Sequence, residues 1–355
     1  MKMSILWSSP ATYSLEFFKE LHSSHGFQLQ IIHQAGQANA PYKSLDFSFF
    51  HEAIEDSPDI RKGLYQMVEA FSPDCILMAS WPFRHFMQVS RRMRTRGVYV
   101  VAAMDNQWHG TLKQHLGVIS SPLFLKPSID TLFVAGDRQR DFARRLGYDD
   151  PLHGYYSGEI ARFRCPDAID SRDKSFLFIG RLVPEKGINE LAAAYKDYRQ
   201  RTPAPWKLKV AGTGPLAYLL QDIEGVELVG FVQPDMLPSL TAQARCFVLP
   251  SLWEPWGVVV HEAAAAGLPI IATTPCGSTT MFLRDGVNGF VVPPRPEAIT
   301  EAMLRISELS ADRLRDASEK SRELAELWSP SLLARYFAES VGRRIQARRS
   351  KRSNI

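Results

Sequence analysis

The sequence predicts an α/β fold of two doubly wound, Rossmann-like domains, and three observations lead there. The chain has 355 residues, 45% of them hydrophobic, too long for one compact core and suited to roughly two domains of about 150 residues each. Short apolar or β-branched runs alternate with longer amphipathic stretches, the pattern of βαβ units whose helices cover a parallel sheet on both faces. A polar stretch without periodicity, 159–174, interrupts the alternation near the middle, contains Pro166 and reads as a linker.

In chain order, the strand-like runs of the first half are Met3–Trp7, Leu29–His33, Cys75–Ala79, Val98–Ala103 and Thr131–Ala135. Each is almost continuously apolar, as a strand covered on both faces must be. Helical periodicity fits Ser14–His22, Ile60–Phe71, Phe83–Thr95 and Arg138–Leu146. The second half repeats the logic, with strands at Ser175–Ile179, Leu208–Ala211, Val226–Val229, Cys246–Leu249 and Ile270–Thr273. Its helices fit Gly187–Arg201, Gly214–Asp222, Met236–Gln243 and Val258–Ala266. After about residue 296 the pattern is helical only. The domains are therefore drawn as 1–158 and 175–328, with 329–355 a helix returning toward the N-terminal domain. Ligands of such folds bind in the crevice beyond the carboxyl ends of the strands, so chemistry is sought just after strands.

Net charge is +4, from 42 basic and 38 acidic residues. Six of the basic residues (Arg343, Arg344, Arg348, Arg349, Lys351 and Arg352) follow the last acid, Glu339. The remaining body is close to neutral, so no nucleic-acid partner is expected from overall charge. The basic tail reads as a frayed, solvated terminus. Phe83–Arg96 mixes apolar and basic residues at helical spacing, and Arg138, Arg140, Arg144 and Arg145 add a second patch. Two readings stay open for these surfaces: a core-facing helix with a solvated arginine face, and peripheral docking on an anionic membrane. Cys75, Cys165, Cys246 and Cys276 are scattered without metal-ligand spacing, which points to a reducing compartment. The first residues lack a signal-peptide core, and no apolar run reaches the roughly 20 residues that span a bilayer. The expected location is cytoplasmic, with the inner face of the plasma membrane as the alternative.

Three clusters follow strands of the second half. The first, Phe178-Ile-Gly-Arg-Leu-Val-Pro-Glu-Lys-Gly187, places Gly180, Arg181 and Lys186 before a helix start. Two cations there suit a diphosphate, Arg as a fork and Lys as a point charge; the plain alternative is a solvated loop. In the second, Gly212-Thr-Gly214 follows a strand, either for close backbone approach to a ligand or as an ordinary turn. The third carries Glu254 and Glu262 eight residues apart, with Gly257 opening an alanine-rich helix. On one continuous helix they would lie about 12 Å apart and off one face. Different jobs are therefore expected: Glu254 at the mouth, Glu262 holding a diol such as a ribose. The amides of Gly257 and Val258 are free to receive phosphate. The alternative is a helix bearing two unrelated acids, though a Glu among alanines and valines needs a partner.

Taken together, the Glu-x7-Glu element, Gly267-Leu-Pro269 and the loop with Arg181 and Lys186 resemble retaining glycosyltransferases of family 4, over roughly residues 174–310. The resemblance implies the GT-B fold, with an acceptor-binding N-terminal and a nucleotide-sugar-binding C-terminal domain facing a central cleft. It implies transfer of a sugar, with retention, from a UDP-sugar (GDP-mannose being the alternative) to a glycan or lipid-linked acceptor in cell-envelope or polysaccharide biosynthesis. No cofactor and no metal are expected, and the chain contains no Asp-x-Asp. By the same resemblance Arg181 and Lys186 neutralise the leaving diphosphate, Glu262 binds ribose, Glu254 contacts the donor sugar without acting as nucleophile, and backbone at Phe231 and Val232 frames the base. The sequence departs from the family pattern at three places. Ser8-Ser9-Pro10-Ala11 stands where a glycine-rich loop is usual. Asp105, with His109 four residues on, stands near the usual His, either one able to orient a sugar hydroxyl or to belong to a polar turn. Cys276-Gly-Ser-Thr-Thr280 replaces two glycines and a following Glu. Two other classes remain: a GT-B sugar-nucleotide epimerase, and a non-enzymatic protein that binds anionic surfaces through its tail.

Overall fold

The computed structural model describes residues 1–8, 10–34 and 46–353. The chain forms two compact units, Met1–Ser157 with Pro330–Ile355, and Gly158–Ser329. Ser9, in the segment where a glycine-rich loop was sought, lies outside the described residues.

Among the described residues, the first unit is built on seven parallel strands: β1 (Lys2–Trp7), β2 (Gln28–His33), β3 (Glu52–Glu55), β4 (Cys75–Ala79), β5 (Tyr99–Met104), β6 (Thr131–Val134) and β7 (Leu152–His153). Their order is β3-β2-β1-β4-β5-β6-β7, so the chain reverses its direction of winding between β1 and β4. Helices α1 (Thr12–His25), α2 (Pro58–Phe71), α3 (Arg84–Thr95), α4 (Leu112–Phe124) and α5 (Asp137–Arg145) connect them. The Ser57 hydroxyl caps α2 by accepting from the Ile60 N–H. Phe86, Val89 and Met93 of α3 enter a core shared with Leu64, Val68 and Phe142 of α2 and α5, so α3 packs inward and leaves Arg84, Arg91 and Arg92 exposed.

The second unit has six parallel strands: β8 (Ser175–Ile179), β9 (Lys207–Ala211), β10 (Val226–Gly230), β11 (Cys246–Leu249), β12 (Ile270–Thr273) and β13 (Gly289–Val292). They are ordered β10-β9-β8-β11-β12-β13. Its helices are α6 (Ile160–Phe163), α7 (Ile188–Arg201), α8 (Tyr218–Gln221), α9 (Leu237–Gln243), α10 (Val258–Ala265), α11 (Thr279–Phe282), α12 (Pro296–Ser307) and α13 (Ala311–Glu326). The central strands β8 and β11 are buried along their whole length, as sheets covered on both faces require. All four cysteines are free and buried. No helix among the described residues is long and apolar enough to cross a membrane.

Several expectations change. The stretch expected as a linker belongs to the second unit, because Ile160, Phe163 and Ile169 are buried and α6 packs on α10 and α9. The helix expected over Gly214–Asp222 shrinks to α8, since Pro215 and its neighbours form a turn. The short β3 and β7 add to the first sheet and β13 to the second; charged flanks and two-residue length hid the first two.

The basic tail is folded. Helix α14 (Pro330–Ser353) buries Leu333, Phe337, Val341 and Ile345, with Phe337 against Phe17 of α1. Its arginines meet carboxylates near the amino ends of first-sheet strands: Arg344 with Asp150, Arg348 with Asp130 and Arg349 with Asp74. Asp130 also takes Arg94 of α3 at 2.7 Å and the Val100 N–H at 2.9 Å, tying together helices on opposite faces of the sheet. The Asp130 side chain is only 10% exposed. Asp130→Ala leaves two guanidinium groups without their shared acceptor, and urea unfolding is expected to show a loss of about 3 kcal/mol; a loss below about 1 kcal/mol would place the clamp elsewhere.

Candidate active site

In the second unit the switch point lies between β8 and β11, and β9 flanks β8 on the other side. The loops leaving these strands meet through the backbone. The Gly180 N–H donates to Ala211 O, the Leu182 N–H to Thr213 O, both at 2.9 Å, and the Gly212 N–H to Gly230 O at 2.7 Å. A Cβ on Gly212 would run into the Gly180 carbonyl oxygen, and one on Gly214 would strike Leu182 O. The G-T-G segment therefore serves loop-to-loop contact. Phe231 and Val232 follow in the half-buried loop after β10.

On the other side of β8 the chain runs through a short 3-10 turn, Pro184–Lys186, to Gly187. Gly187 has φ +69°, and its missing Cβ leaves room for the Pro250 carbonyl oxygen beyond β11. The Leu252 and Trp253 N–H groups donate to Glu185 O at 2.9 and 3.1 Å. This docking joins the two loops and brings Lys186 Nζ into an ion pair with Glu254 Oε2, which also accepts from Ser251 Oγ at 3.4 Å. Both side chains of the pair are largely enclosed, Lys186 18% and Glu254 10% exposed. Arg181 is different: its side chain is 66% exposed and touches Glu185 at 3.2 Å, so it is available to an incoming anion.

Glu254 lies in the loop, where Gly277 N–H donates to its carbonyl oxygen at 3.1 Å. Gly257 caps α10, and Val258 begins it. Cys276, in the segment that departs from the family pattern, donates from Sγ to Trp256 O at 3.2 Å, and Ser278 Oγ donates to Gly257 O at 3.0 Å. Burial pushes the Cys276 thiol up to about 12, so it stays protonated and acts as a brace for the cap.

Glu262 sits one turn into α10, half-buried, and its carboxyl makes no hydrogen bond among the described residues. Burial pushes its carboxyl up to about 7; Glu159 adds to the shift and Arg162 opposes it. Both neighbours come from α6, which the sequence marked only as linker. They are held there by His261. The Gly158 N–H donates to His261 Nδ1 at 3.0 Å, while Nε2 lies 3.0 Å from Ala325 O, so the ring is the neutral Nε2–H form. Burial lowers its pKa to about 4, and it stacks on Phe282 at 4.2 Å. No signal in the sequence linked Gly158, Glu159 or Arg162 to Glu262; only the fold does.

Asp105 and His109 lie in the first unit, beyond β5. The Tyr156 hydroxyl donates to Asp105 Oδ2 at 3.0 Å, and the His109 N–H to Gln114 Oε1 at 2.8 Å. Partial burial, then Arg138, lowers the His109 pKa. Among the described residues no three His, Cys, Asp or Glu side chains converge as a metal site.

Residues 160–324 match the family described as glycosyl transferases group 1, nearly the whole second unit. An uncharacterised glycosyltransferase of Methanocaldococcus jannaschii is 34% identical over 156 residues, 42% of this chain and 39% of that protein; the chain thus spans well under half of that relative's length. Two solved structures show the fold to be GT-B. A sucrose-phosphate synthase from Thermosynechococcus elongatus matches with TM-score 0.74 at 17% identity, over 98% of this chain and 100% of that one. Anabaena HepE in complex with UDP matches with TM-score 0.76 at 15% identity, over 96% and 100%.

Gly187→Ala forces a Cβ into both a left-handed backbone and the Pro250 carbonyl; a loss of more than about 1 kcal/mol in chemical unfolding is expected. Glu262 titrates in the folded protein well above its ordinary 4.5. The folded state therefore holds this proton more tightly, and the associated stability is complete below about pH 4.5 and lost as pH rises toward 7. Glu262→Gln is expected to melt above wild type at pH values beyond about 7, with the two curves converging on acidification.

Proposed function

We propose that the protein is a retaining glycosyltransferase using a UDP-sugar. The observation that carries this is the Lys186–Glu254 ion pair beside the cap of α10, with an unpartnered Glu262 carboxyl one turn further along. The match of residues 160–324 to group 1 glycosyl transferases and the UDP held by HepE support the same reading. The diphosphate is neutralised by Arg181, Lys186 and the first amides of α10, which replaces a metal in that role. Glu262 accepts hydrogen bonds from the two ribose hydroxyls, and backbone at Phe231 and Val232 frames the uracil.

When the bond from the anomeric carbon to the β-phosphate oxygen breaks, negative charge grows on phosphate and positive charge on the sugar. Fixed cations and amide donors stabilise the first without reorganising. Glu254 stabilises and positions the second; tied to Lys186 and Ser251, its carboxylate is a poor nucleophile. The acceptor hydroxyl attacks from the same face and passes its proton to the departing phosphate, so the anomeric configuration is kept. Asp105 and His109 are the first unit's candidates to orient a donor-sugar hydroxyl, and the acceptor is a glycan or a lipid-linked one.

A donor that binds the native state raises its melting temperature by mass action. UDP-sugars are expected to shift the wild type more than GDP-mannose does. Lys186→Ala and Glu262→Gln are expected to lose at least about tenfold in donor affinity, even though the second variant is the more stable apoprotein near pH 8. Equal affinity in the variants would remove these residues from the site.

A further inference from the structure

Helix α4 is oriented against the usual logic of a surface helix. Leu112, Leu116, Ile119, Leu123 and Phe124 are 83, 66, 75, 72 and 68% exposed. At about 100° per residue, the first four fall within an arc of about 60°. The opposite side of the helix is the anchored one. Gln114 Nε2 donates to Gln107 O at 2.7 Å, Ser121 Oγ donates to Leu146 O at 2.7 Å, and Val118 rests on the core beneath. Thr111 and Gln114 form a capping box at its start. Turning α4 to bury its apolar stripe would break each of these contacts, so the outward stripe is built in.

The charge on α4 and on its neighbour α3 is of one sign, and the two exposed acids of α5, Asp137 and Asp141, are paired with Arg140 and Arg145 of the same helix. No Asp or Glu occurs between Asp105 and Asp130, while Lys113 and His115 are exposed on α4 itself. Helix α3 enters the sheet one strand earlier by the same right-handed crossover and lies on the same face. It contains no acid and exposes Arg84, Arg91 and Arg92. A second copy of this chain on the stripe would bring these cations against their own like. Anionic headgroups would neutralise them and let four aliphatic side chains pass into the acyl boundary.

We propose that α4 docks this protein on an anionic phospholipid bilayer, lying in the plane of the interface. The helix, about 20 Å long, begins three residues after His109. Docking therefore carries the Asp105–His109 loop to the lipid surface, where a lipid-linked substrate would present its polar end. The inference rests on α4 and its surroundings and does not require the donor-site reading.

Co-sedimentation of the full chain with vesicles tests it. Wild type is expected to pellet with phosphatidylcholine vesicles containing about 30% phosphatidylglycerol, and far less with phosphatidylcholine alone. Leu116→Glu combined with Ile119→Glu is expected to lower binding at least about tenfold with an unchanged melting temperature, since both positions are exposed, while Leu116→Phe keeps it. Three results would overturn the proposal: wild type remaining in the supernatant with the anionic vesicles, the double variant pelleting like wild type, or a wild-type dimer that the double variant dissociates without any vesicle binding.

Discussion

The carbonyl oxygen of Pro250 occupies the space in which a Gly187 side chain would begin, and the loops at the carboxyl ends of β8 and β11 are organised around that contact. It allows the loop after β8 to lie against the loop after β11, with Glu185 O taking two amides from the facing strand end. Only then can Lys186 and Glu254, 68 residues apart in the chain, form an enclosed ion pair. The approach of Gly212 to Gly180 does the same on the β9 side. A parallel sheet leaves the carboxyl ends of its strands without partners at the switch point, and glycines there let backbone meet backbone where side chains would hold the loops apart.

One residue of α10 works against stability. Glu262 is placed in surroundings that disfavour its charge, with another acid nearby and no donor to satisfy it. Such a group destabilises the protein at neutral pH. His261, its neighbour in sequence, serves the opposite end: buried and neutral, it holds α6 to α10 and α10 to the end of α13. Adjacent residues on one helix thus act in opposite senses, His261 bracing the scaffold and Glu262 straining it.

The first unit shows a comparable division between its two basic surfaces. The arginines of α14 look from the sequence like a loose polycationic tail, yet three of them are bound to Asp74, Asp130 and Asp150. They hold the helix to the amino ends of the strands, the side opposite to the loop that carries Asp105 and His109. Helix α4 escaped the sequence reading for the reverse reason. Gly117, Ser120, Ser121 and Pro122 blur its periodicity, and its leucines face water, so the expectation that apolar residues mark the core fails there.

By itself the sequence determined the two α/β halves, nearly every long strand, and the cluster from Gly180 to Glu262, because each of these is encoded locally. Continuous apolar runs make buried strands, and turns with glycine and cations follow them. Glu254 and Glu262 were separable on paper because a loop residue and a helix residue eight apart cannot share a face. What only the tertiary structure decided are pairings between distant segments: Lys186 with Glu254, α6 with Glu262, α14 with the first sheet. The 159–174 stretch lacked periodicity yet packs, since burying Ile160, Phe163 and Ile169 needs only three well-placed side chains. Whether an apolar stripe faces core or solvent was likewise invisible, because the pattern is the same in both cases and only the hydrogen bonds on the opposite face choose between them.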